Sequence, residues 1–299
     1  MNLNFNSLIM QMIPFDKRDG LIWINGEYRN WKDSTVHVLN HGLHYGSCVF
    51  EGIRIYNGKI FKLDQHIERL YESARLLDLE IPYEIDDVKR VTLELTNKQK
   101  VNDGYIRPVV WRGSEKMAIS AIDATTNIAI ATWPWPSYFS PDKILEGLKL
   151  TISDWVRPSP NSAPTNSKAA GLYMICSLSK HEAERKGFDD ALMLDYRGYI
   201  AEATGANIFF SKDKKIFTPK PDCFLDGITR KTVIDIAKKL KIHVEEGHYK
   251  PDFLEDCQEV FMTGTAVEIT PVISINNYKF QVGEITRLLI KEFNNMVKS

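Results

Sequence analysis

A proline-rich aromatic segment, WPWPSYFSP at residues 133–141, divides this sequence into two halves. Proline lacks a backbone N–H and fixes φ, so three prolines this close together disfavour a continuous helix or strand. The chain has 299 residues, which is enough for two domains of ordinary size. We therefore predict a domain at residues 14–132, a linker at residues 133–146 and a second domain at residues 147–299.

Both halves mix the periodicities of strands and helices. Ile67, Leu70, Ala74 and Leu77 recur at helical spacing, and Asp64 is the expected N-cap of their helix. The first half is predicted to form strands at 21–24, 47–56, 59–62, 105–111 and 128–133, and helices at 65–77 and 85–97. The second half is predicted to form strands at 148–154, 190–195, 200–211 and 259–263, and helices at 171–186, 228–240 and 283–298. By itself this pattern indicates only a protein of mixed α and β structure with two domains.

Composition disfavours several classes of protein. A net charge of −1 gives no support to a nucleic-acid or membrane-surface role. No apolar run approaches the roughly 20 residues of a membrane span, and the first residues lack the basic region of a signal peptide. Cysteine spacing indicates neither pairs nor metal ligands, so we predict free thiols in a cytoplasmic protein; the cysteines are Cys48, Cys176, Cys223 and Cys257.

Lys168 lies among small residues in the run APTNSKAAGLY at 163–173, just before a predicted helix. Small neighbours leave room for a bulky group on the amine, and the positive end of a helix disfavours the ammonium form. Both features suit a lysine that acts as a neutral nucleophile and forms a Schiff base. A lone lysine is more often a solvated surface residue, so this interpretation depends on the rest of the chain.

Three segments that follow Lys168 in the sequence carry groups suited to catalysis or anion binding. The run IAEATGANIF at 200–209 places the carboxylate of Glu202 on an apolar strand. The runs LDGITR at 225–230 and FMTGTAVE at 261–268 each offer a glycine, a threonine hydroxyl and backbone N–H groups. Such groups bind phosphate or carboxylate at a helix start or a backbone nest, although each run alone is weak evidence because it also fits a simple cap.

Taken in order, these segments resemble the fold-type IV enzymes of the class-IV aminotransferase family, which use pyridoxal phosphate. The similarity is closest to branched-chain amino acid aminotransferases and extends from about Gly20 to Val272. The first half contributes VHVLNHGLHYG (36–46), VFEGIR (49–54), HIERL (66–70) and YIRP (105–108). The resemblance implies an α+β fold of two domains, a small α/β N-terminal domain and a larger C-terminal pseudo-barrel domain. It also implies ping-pong transfer of the amino group of leucine, isoleucine or valine to 2-oxoglutarate.

The resemblance implies roles for individual residues toward pyridoxal phosphate. Lys168 matches the catalytic lysine, which holds the cofactor and then moves the proton of the substrate's α-carbon. Glu202 matches the carboxylate that faces the pyridine nitrogen, and Tyr173 matches the tyrosine that hydrogen-bonds the phenolic oxygen. Phosphate binding is implied for Arg69, Ile228, Thr229 and Thr265, beside Gly227 and Gly264.

Substrate recognition is also implied by the resemblance. Thr265, Ala266 and Tyr105 match positions that hold the α-carboxylate, and Arg107 matches the arginine that binds the distal carboxylate of glutamate or 2-oxoglutarate. The residues that match the family's apolar pocket for the substrate's side chain are Phe50, Tyr173, Trp135 and Tyr138. Tyr45 and the loop near Ile119 would reach the pocket of the other subunit, so we expect a homodimer or higher homo-oligomer. The other partners that we expect for this protein are amino acids and 2-oxo acids.

Several alternatives stay open. The loop at residues 112–119 is more charged and less rich in glycine than the family pattern, which leaves fine specificity and the amino acceptor undecided. D-amino acid aminotransferases and aminodeoxychorismate lyases share the scaffold, and a non-catalytic phosphometabolite-binding protein would keep the anion sites. The YIRP and HGLHYG runs favour the branched-chain group. His41 and His44 have an HxxH spacing without a third ligand nearby, so we predict no metal.

Overall fold

The structure, a computed structural model, describes residues 13–135 and 145–298. Seven strands of the first described stretch form one antiparallel sheet in the order β2-β1-β7-β6-β4-β5, with β3 beside β6. The strands are β1 (Leu21–Ile24), β2 (Glu27–Asn30), β3 (Cys48–Phe50), β4 (Ile53–Tyr56), β5 (Lys59–Ile60), β6 (Gly104–Arg112) and β7 (Thr126–Pro134).

Helices cover this first sheet. They are α1 (His41–Tyr45), α2 (Leu63–Arg75) and α3 (Ile85–Lys98). Ile67 and Leu70 of α2 and Leu95 of α3 are fully buried against Ile53 and Ile55 of β4, as the helical spacing predicted. The predicted N-cap was wrong, because α2 begins at Leu63 after Lys62, whose φ of 53° is left-handed. Asp64 therefore lies in the first turn, where its charge suits the helix dipole.

The single strand predicted at residues 47–56 is divided in two. Strand β3 ends at Phe50 and β4 begins at Ile53, and both pair with β6. Between them, Glu51 turns its side chain into the protein, where it is fully buried against Arg69 and His66. The break in the predicted strand thus lies where a buried ion pair forms.

The second sheet is formed by nine strands of the second described stretch. Its order is β10-β9-β8-β15-β14-β11-β12-β13, with β16 beside β15, and three of its pairings are parallel. The strands are β8 (Leu148–Ile152), β9 (Asp190–Leu194), β10 (Ile200–Ala203), β11 (Asn207–Lys212), β12 (Lys215–Pro219), β13 (Val244–Gly247), β14 (Glu259–Gly264), β15 (Glu268–Ile275) and β16 (Tyr278–Lys279). Strand β10 also lies near β11 and β12, so the sheet curls toward closure.

The helices of the second half are α4 (Tyr173–Arg185), α5 (Ile228–Lys239) and α6 (Glu284–Lys298). Val233 of α5 and Leu289 and Phe293 of α6 pack on one face of the second sheet, and Tyr56 of β4 joins the same core. This shared core connects the two halves of the chain. Among the described helices, none has the length and apolar character required to cross a membrane.

Strand β7 continues through Trp133 and Pro134, which the sequence analysis had assigned to the linker. Strand β1 pairs with β7 only at residues 129–131, and proline is tolerated at the end of a strand. Residues 136–144, which include Tyr138, lie outside the described residues. We keep the division at 14–132, 133–146 and 147–299 as a proposal, supported by the separate stretches that form the two sheets.

Candidate active site

A cleft of about 580 Å³ collects side chains from both halves of the chain. Helix α2 contributes Arg69, and the segment before α4 contributes Ser167 and Lys168. The remaining residues lie on the first turns of α4 and α5 and on the strands and connections of the second sheet. The cleft lining includes Arg157, Tyr173, Cys176, Glu202, Thr204, Gly205, Ala206, Asn207, Gly227, Ile228, Thr229, Thr263, Gly264 and Thr265.

Lys168 is half-buried and its amine faces two aromatic side chains. Its Nζ donates a hydrogen bond to the Tyr173 hydroxyl at 2.8 Å and lies 5.0 Å from the centre of the Phe50 ring. The backbone of Lys168 is fixed on both sides: its N–H donates to Ser73 Oγ at 3.0 Å, and its carbonyl accepts from the Phe50 N–H at 3.2 Å. The first half of the chain therefore holds a lysine that the second half supplies.

Glu202 on β10 is 9% exposed. Its Oε1 lies 3.4 Å from Arg157 Nε, and its Oε2 accepts a hydrogen bond from Asn207 Nδ2 at 3.4 Å. Burial raises the pKa of Glu202 to about 7, although the charges of Arg157 and Lys168 act in the opposite direction. A further positive partner in the cleft would favour the ionised carboxylate.

An anion site is formed where α5 begins. Gly227 precedes the helix, and the first two helical residues, Ile228 and Thr229, are buried beside the cleft. Asn207 fixes this start, because its Oδ1 accepts from the Gly227 N–H at 3.2 Å and its Nδ2 donates to the Leu225 carbonyl. A Cβ at Gly227 would lie 2.2 Å from that Oδ1, so a larger residue would displace the amide. Free backbone N–H groups at a helix start bind anions.

Among the described residues, and apart from the Arg157 Nε that faces Glu202, two donors on the cleft lining are buried without a hydrogen-bond partner. They are Nη1 of Arg69 and the hydroxyl of Thr263, which is followed by Gly264 and Thr265 at the end of β14. Buried polar groups are usually paired, so two such donors on one cleft indicate a ligand with acceptor oxygens.

Arg107 on β6 reaches toward the lysine from the first sheet. Its guanidinium lies 4.8 Å above the centre of the Phe50 ring, and its Nη2 is 3.5 Å from the Tyr105 hydroxyl. The Phe50 ring meets the Tyr173 ring edge-on at 4.9 Å between centroids. The Nε of Arg107 is buried and has no hydrogen-bond partner within residues 13–135 and 145–298. An aromatic wall and a cation thus lie side by side next to Lys168.

Tyr105 belongs to a second aromatic group. Its ring lies 5.3 Å from Trp133 and 5.7 Å from Trp135, and Ala266 packs against the same cluster. Ala266 follows Thr265 in the β14–β15 turn, so this contact brings the turn to the first sheet.

The same turn is held by a hydrogen bond between the halves. Glu268 has a left-handed φ of 52°, and its Oε1 accepts from the buried Tyr56 hydroxyl at 2.9 Å. Burial and the neighbouring Glu268 charge both raise the pKa of Tyr56, which keeps it a neutral donor.

Tyr45 and Ile119 lie apart from the cleft lining, on the surface. Ile119 is 84% exposed, and the Tyr45 ring lies 4.6 Å from the ring of His41. Both ring nitrogens of His41 are engaged: Nδ1 is 2.6 Å from Ser47 Oγ, and Nε2 is 2.9 Å from the Ala118 carbonyl. His41 therefore joins the two segments that the sequence analysis assigned to the partner's pocket.

Several residues of the cleft were missed by the sequence analysis. Arg157 and Asn207 both contact Glu202, and Ser73 fixes the lysine backbone. The only local signal for Arg157 is its place just after an apolar strand. No local signal connects Ser73 with Lys168, 95 residues later.

A half-buried lysine amine, a buried carboxylate and an anion-binding helix start in one cleft are the features of a cofactor-dependent enzyme. The chain belongs to the amino-transferase class IV family, whose model matches residues 48–275.

Known relatives cover nearly the whole chain. It is 45% identical to a probable branched-chain-amino-acid aminotransferase of Rickettsia bellii, over 93% of this chain and 96% of the relative. It is 37% identical to the branched-chain-amino-acid aminotransferase of Pseudomonas aeruginosa, over 94% of each. The crystal structure of the Escherichia coli branched-chain amino acid aminotransferase has a TM-score of 0.90 at 36% identity, covering 94% of this chain and 95% of that one. The predicted family and α+β fold class are confirmed.

Proposed function

We propose that this protein transfers the amino group of leucine, isoleucine or valine to 2-oxoglutarate, with pyridoxal phosphate as its cofactor and by a ping-pong mechanism. Membership of the class IV family and the names of its relatives support this proposal. The observation that carries it is the convergence of Lys168, Tyr173, Glu202 and the start of α5 on one cleft.

The residues present fit this cofactor. The unpartnered Nη1 of Arg69 and the N–H groups of Ile228 and Thr229 would hold its phosphate, with the hydroxyls of Thr229 and Thr265. Glu202 would face the pyridine nitrogen, and Tyr173 would face the phenolic oxygen. When bound there, pyridoxal phosphate supplies an electron sink for the carbanion formed at the substrate's α-carbon.

Lys168 performs two tasks in this scheme. Its amine would hold the cofactor covalently, and the same amine would accept and return the proton of the substrate's α-carbon. The Tyr173 hydroxyl, 2.8 Å from Nζ, orients the amine. The backbone contacts with Ser73 and Phe50 keep the lysine in position for both tasks.

Glu202 would keep the facing pyridine nitrogen protonated. For this task the carboxylate must be ionised, and Arg157 at 3.4 Å favours that form against the cost of burial. The Asn207 amide orients the carboxylate and the start of α5 together, so it aligns the two ends of the site.

Substrate selection uses both sheets. Thr265, Ala266 and Tyr105 would hold the α-carboxylate, and Phe50, Tyr173 and Trp135 would surround an apolar side chain. Arg107 would bind the distal carboxylate of an acidic substrate. Its stacking on Phe50 lets the guanidinium lie beside an apolar ligand without an anionic partner.

Replacing Arg107 by alanine is expected to separate the two substrate classes. Loss of a charge-assisted hydrogen bond should weaken the binding of glutamate by about 2–3 kcal/mol, a factor of roughly 30 to 150. The binding of leucine should be weakened much less. Single-turnover rates with each amino acid measure this ratio. Arg107→Met, which keeps the apolar stem, is the matched variant that removes the charge alone. Equal losses for leucine and glutamate would make Arg107 a structural residue.

The substrate class is tested by a half-reaction screen. The absorption band of the lysine-bound cofactor should change on addition of L-leucine and L-glutamate, and should stay unchanged with D-alanine. A response to D-alanine alone would favour a D-amino acid aminotransferase. A protein without the band, and without bleaching by borohydride, would be a binding protein.

We also propose that the protein works as a homodimer in the cytoplasm. The surface around Tyr45 and Ile119 is apolar and exposed, with Val38 and Leu43 each 67% exposed and Ile122 71%. Large exposed apolar patches mark interaction sites. The four cysteines are free thiols, which suits a reducing compartment.

The solution mass is expected to be at least twice the 34.3 kDa of one chain. Leu43→Asp should shift the protein toward the monomer and lower turnover, because it places a charge on the patch. The exposed Leu93 on α3 lies outside the patch, so Leu93→Asp is the matched control. A fully active monomer of the parent protein would contradict the proposal.

A further inference from the structure

We propose that Glu51 is a positioning residue that fixes the guanidinium of Arg69 for the phosphate of the cofactor. This inference rests on the proposed function, since it assumes that a phosphate occupies the cleft. It assigns a task to a buried acid that neither lines the cleft nor belongs to the chemistry described above.

Glu51 forms a rigid hydrogen-bonded group with Arg69 and His66, here called the clamp. The residue is fully buried, and its two oxygens accept from Arg69 Nε at 2.6 Å and Arg69 Nη2 at 3.0 Å. Its Oε2 also lies 2.7 Å from Nδ1 of the buried His66, so this nitrogen donates to the carboxylate. A bidentate fork with a third donor fixes the plane of both charged groups.

The clamp leaves one end of the guanidinium free. Arg69 lines the cleft, and Nη1, the nitrogen that Glu51 does not hold, is buried and has no hydrogen-bond partner in the part of the chain that the structure describes. Because the guanidinium is planar, holding Nε and Nη2 determines the direction of Nη1. The carboxylate behind Arg69 thus aims its remaining N–H groups at an acceptor in the cleft.

The charges support the same assignment. Burial alone would raise the pKa of Glu51, but the Arg69 charge and the His66 hydrogen bond outweigh it and hold that pKa well below its usual range. Burial lowers the pKa of His66, with the Glu51 contact acting against it, so His66 serves as a neutral donor. Glu51 is therefore a permanent anion that offsets the cost of burying the arginine.

The clamp also sets the distance between the phosphate site and the lysine. His66, Arg69 and Ser73 lie on one face of α2 at helical spacing, and Ser73 accepts the N–H of Lys168. On the other side, the Phe50 N–H, next to Glu51 in sequence, donates to the Lys168 carbonyl. A shift of Glu51 would therefore move Arg69 relative to Lys168.

The test compares two forms of the cofactor with the full-length protein stripped of cofactor. Pyridoxal phosphate engages Arg69, whereas pyridoxal lacks the phosphate. Glu51→Gln should lower the affinity for pyridoxal phosphate by about 10- to 100-fold and change the affinity for pyridoxal by less than about threefold. Glu72→Gln is the matched control, because Glu72 forms an exposed ion pair with Arg75 on the same helix. Dissociation constants follow from the absorbance of the lysine-bound form.

Each outcome is decisive. Unchanged affinity for pyridoxal phosphate in Glu51→Gln, or an equal loss for both compounds, overturns the positioning role while the proposed function stands. A parent protein that binds neither compound overturns the proposed function instead. If circular dichroism shows that Glu51→Gln does not fold, Glu51→Asp is the second variant. It keeps the negative charge and shortens the side chain by one methylene group. It should then show a smaller loss confined to pyridoxal phosphate, and no loss would overturn the role.

Discussion

Replacing Lys168 by alanine is expected to abolish transaminase turnover and leave a folded protein. The amine is the only group proposed both to bind the cofactor covalently and to move the α-proton. General acid–base catalysis alone contributes about 10²–10⁴-fold, so a loss of at least that size should follow. The fold should persist because the backbone of residue 168 keeps its bonds to Ser73 and Phe50.

Steady-state rates with leucine and 2-oxoglutarate measure the loss, and circular dichroism measures the fold. Pyridoxal phosphate should still bind through its phosphate, without the absorption band of a lysine-bound form. Lys186→Ala is the matched control, since Lys186 is an exposed lysine just after α4. Turnover of Lys168→Ala within tenfold of the parent would exclude Lys168 as the catalytic residue.

Replacing Glu202 by alanine is expected to lower kcat far more than the affinity for the phosphate. The carboxylate acts on the ring nitrogen, and its removal leaves Arg157 and that nitrogen without their buried partner. Loss of one member of a buried charge pair costs about 3 kcal/mol or more, which corresponds to about 100-fold in rate. Half-reaction rates and dissociation constants for pyridoxal phosphate separate the two effects. Near-normal half-reaction rates would mean that Glu202 does not face the nitrogen.

The pH dependence of the cofactor-free protein gives a second readout for Glu202. Its pKa in the folded state is raised to about 7, so the neutral form is favoured by folding. The stabilisation is present in full below the unfolded pKa and is lost as pH rises through 7. The free energy of unfolding of the parent, relative to Glu202→Gln, should therefore fall between pH 5 and pH 8. A difference that does not change with pH would mean that this carboxyl is not buried as described.

Local patterns were sufficient for the longer helices and for the order of the motifs. They did not predict β12, β13, β15 or β16, and the single strand predicted at residues 200–211 is divided into β10 and β11. The apolar spacing of Ile67 and Leu70 determined the buried face of α2, because a helix repeats its contacts every three to four residues. The family resemblance connected Lys168 with Glu202, although 34 positions separate them in the sequence. These residues could be named before any fold was known because each belongs to a short recognisable run.

Contacts between distant segments required the fold. The sequence gives no reason for Arg157 to face Glu202, for Ser73 to hold Lys168 or for Tyr56 to reach Glu268. The break between β3 and β4 also has a tertiary cause, since Glu51 leaves the strand pattern to pair with Arg69.

The sequence by itself thus determined the class of fold, the longer helices and part of the strands, and, through the family resemblance, the residues proposed for the chemistry. Only the tertiary structure decided which groups surround those residues and how their charges are balanced. The physical reason is that helix propensity, capping and apolar periodicity act within a few residues of the chain. Burial and pairing of charged side chains such as Glu51 and Glu202 instead depend on segments that packing brings together.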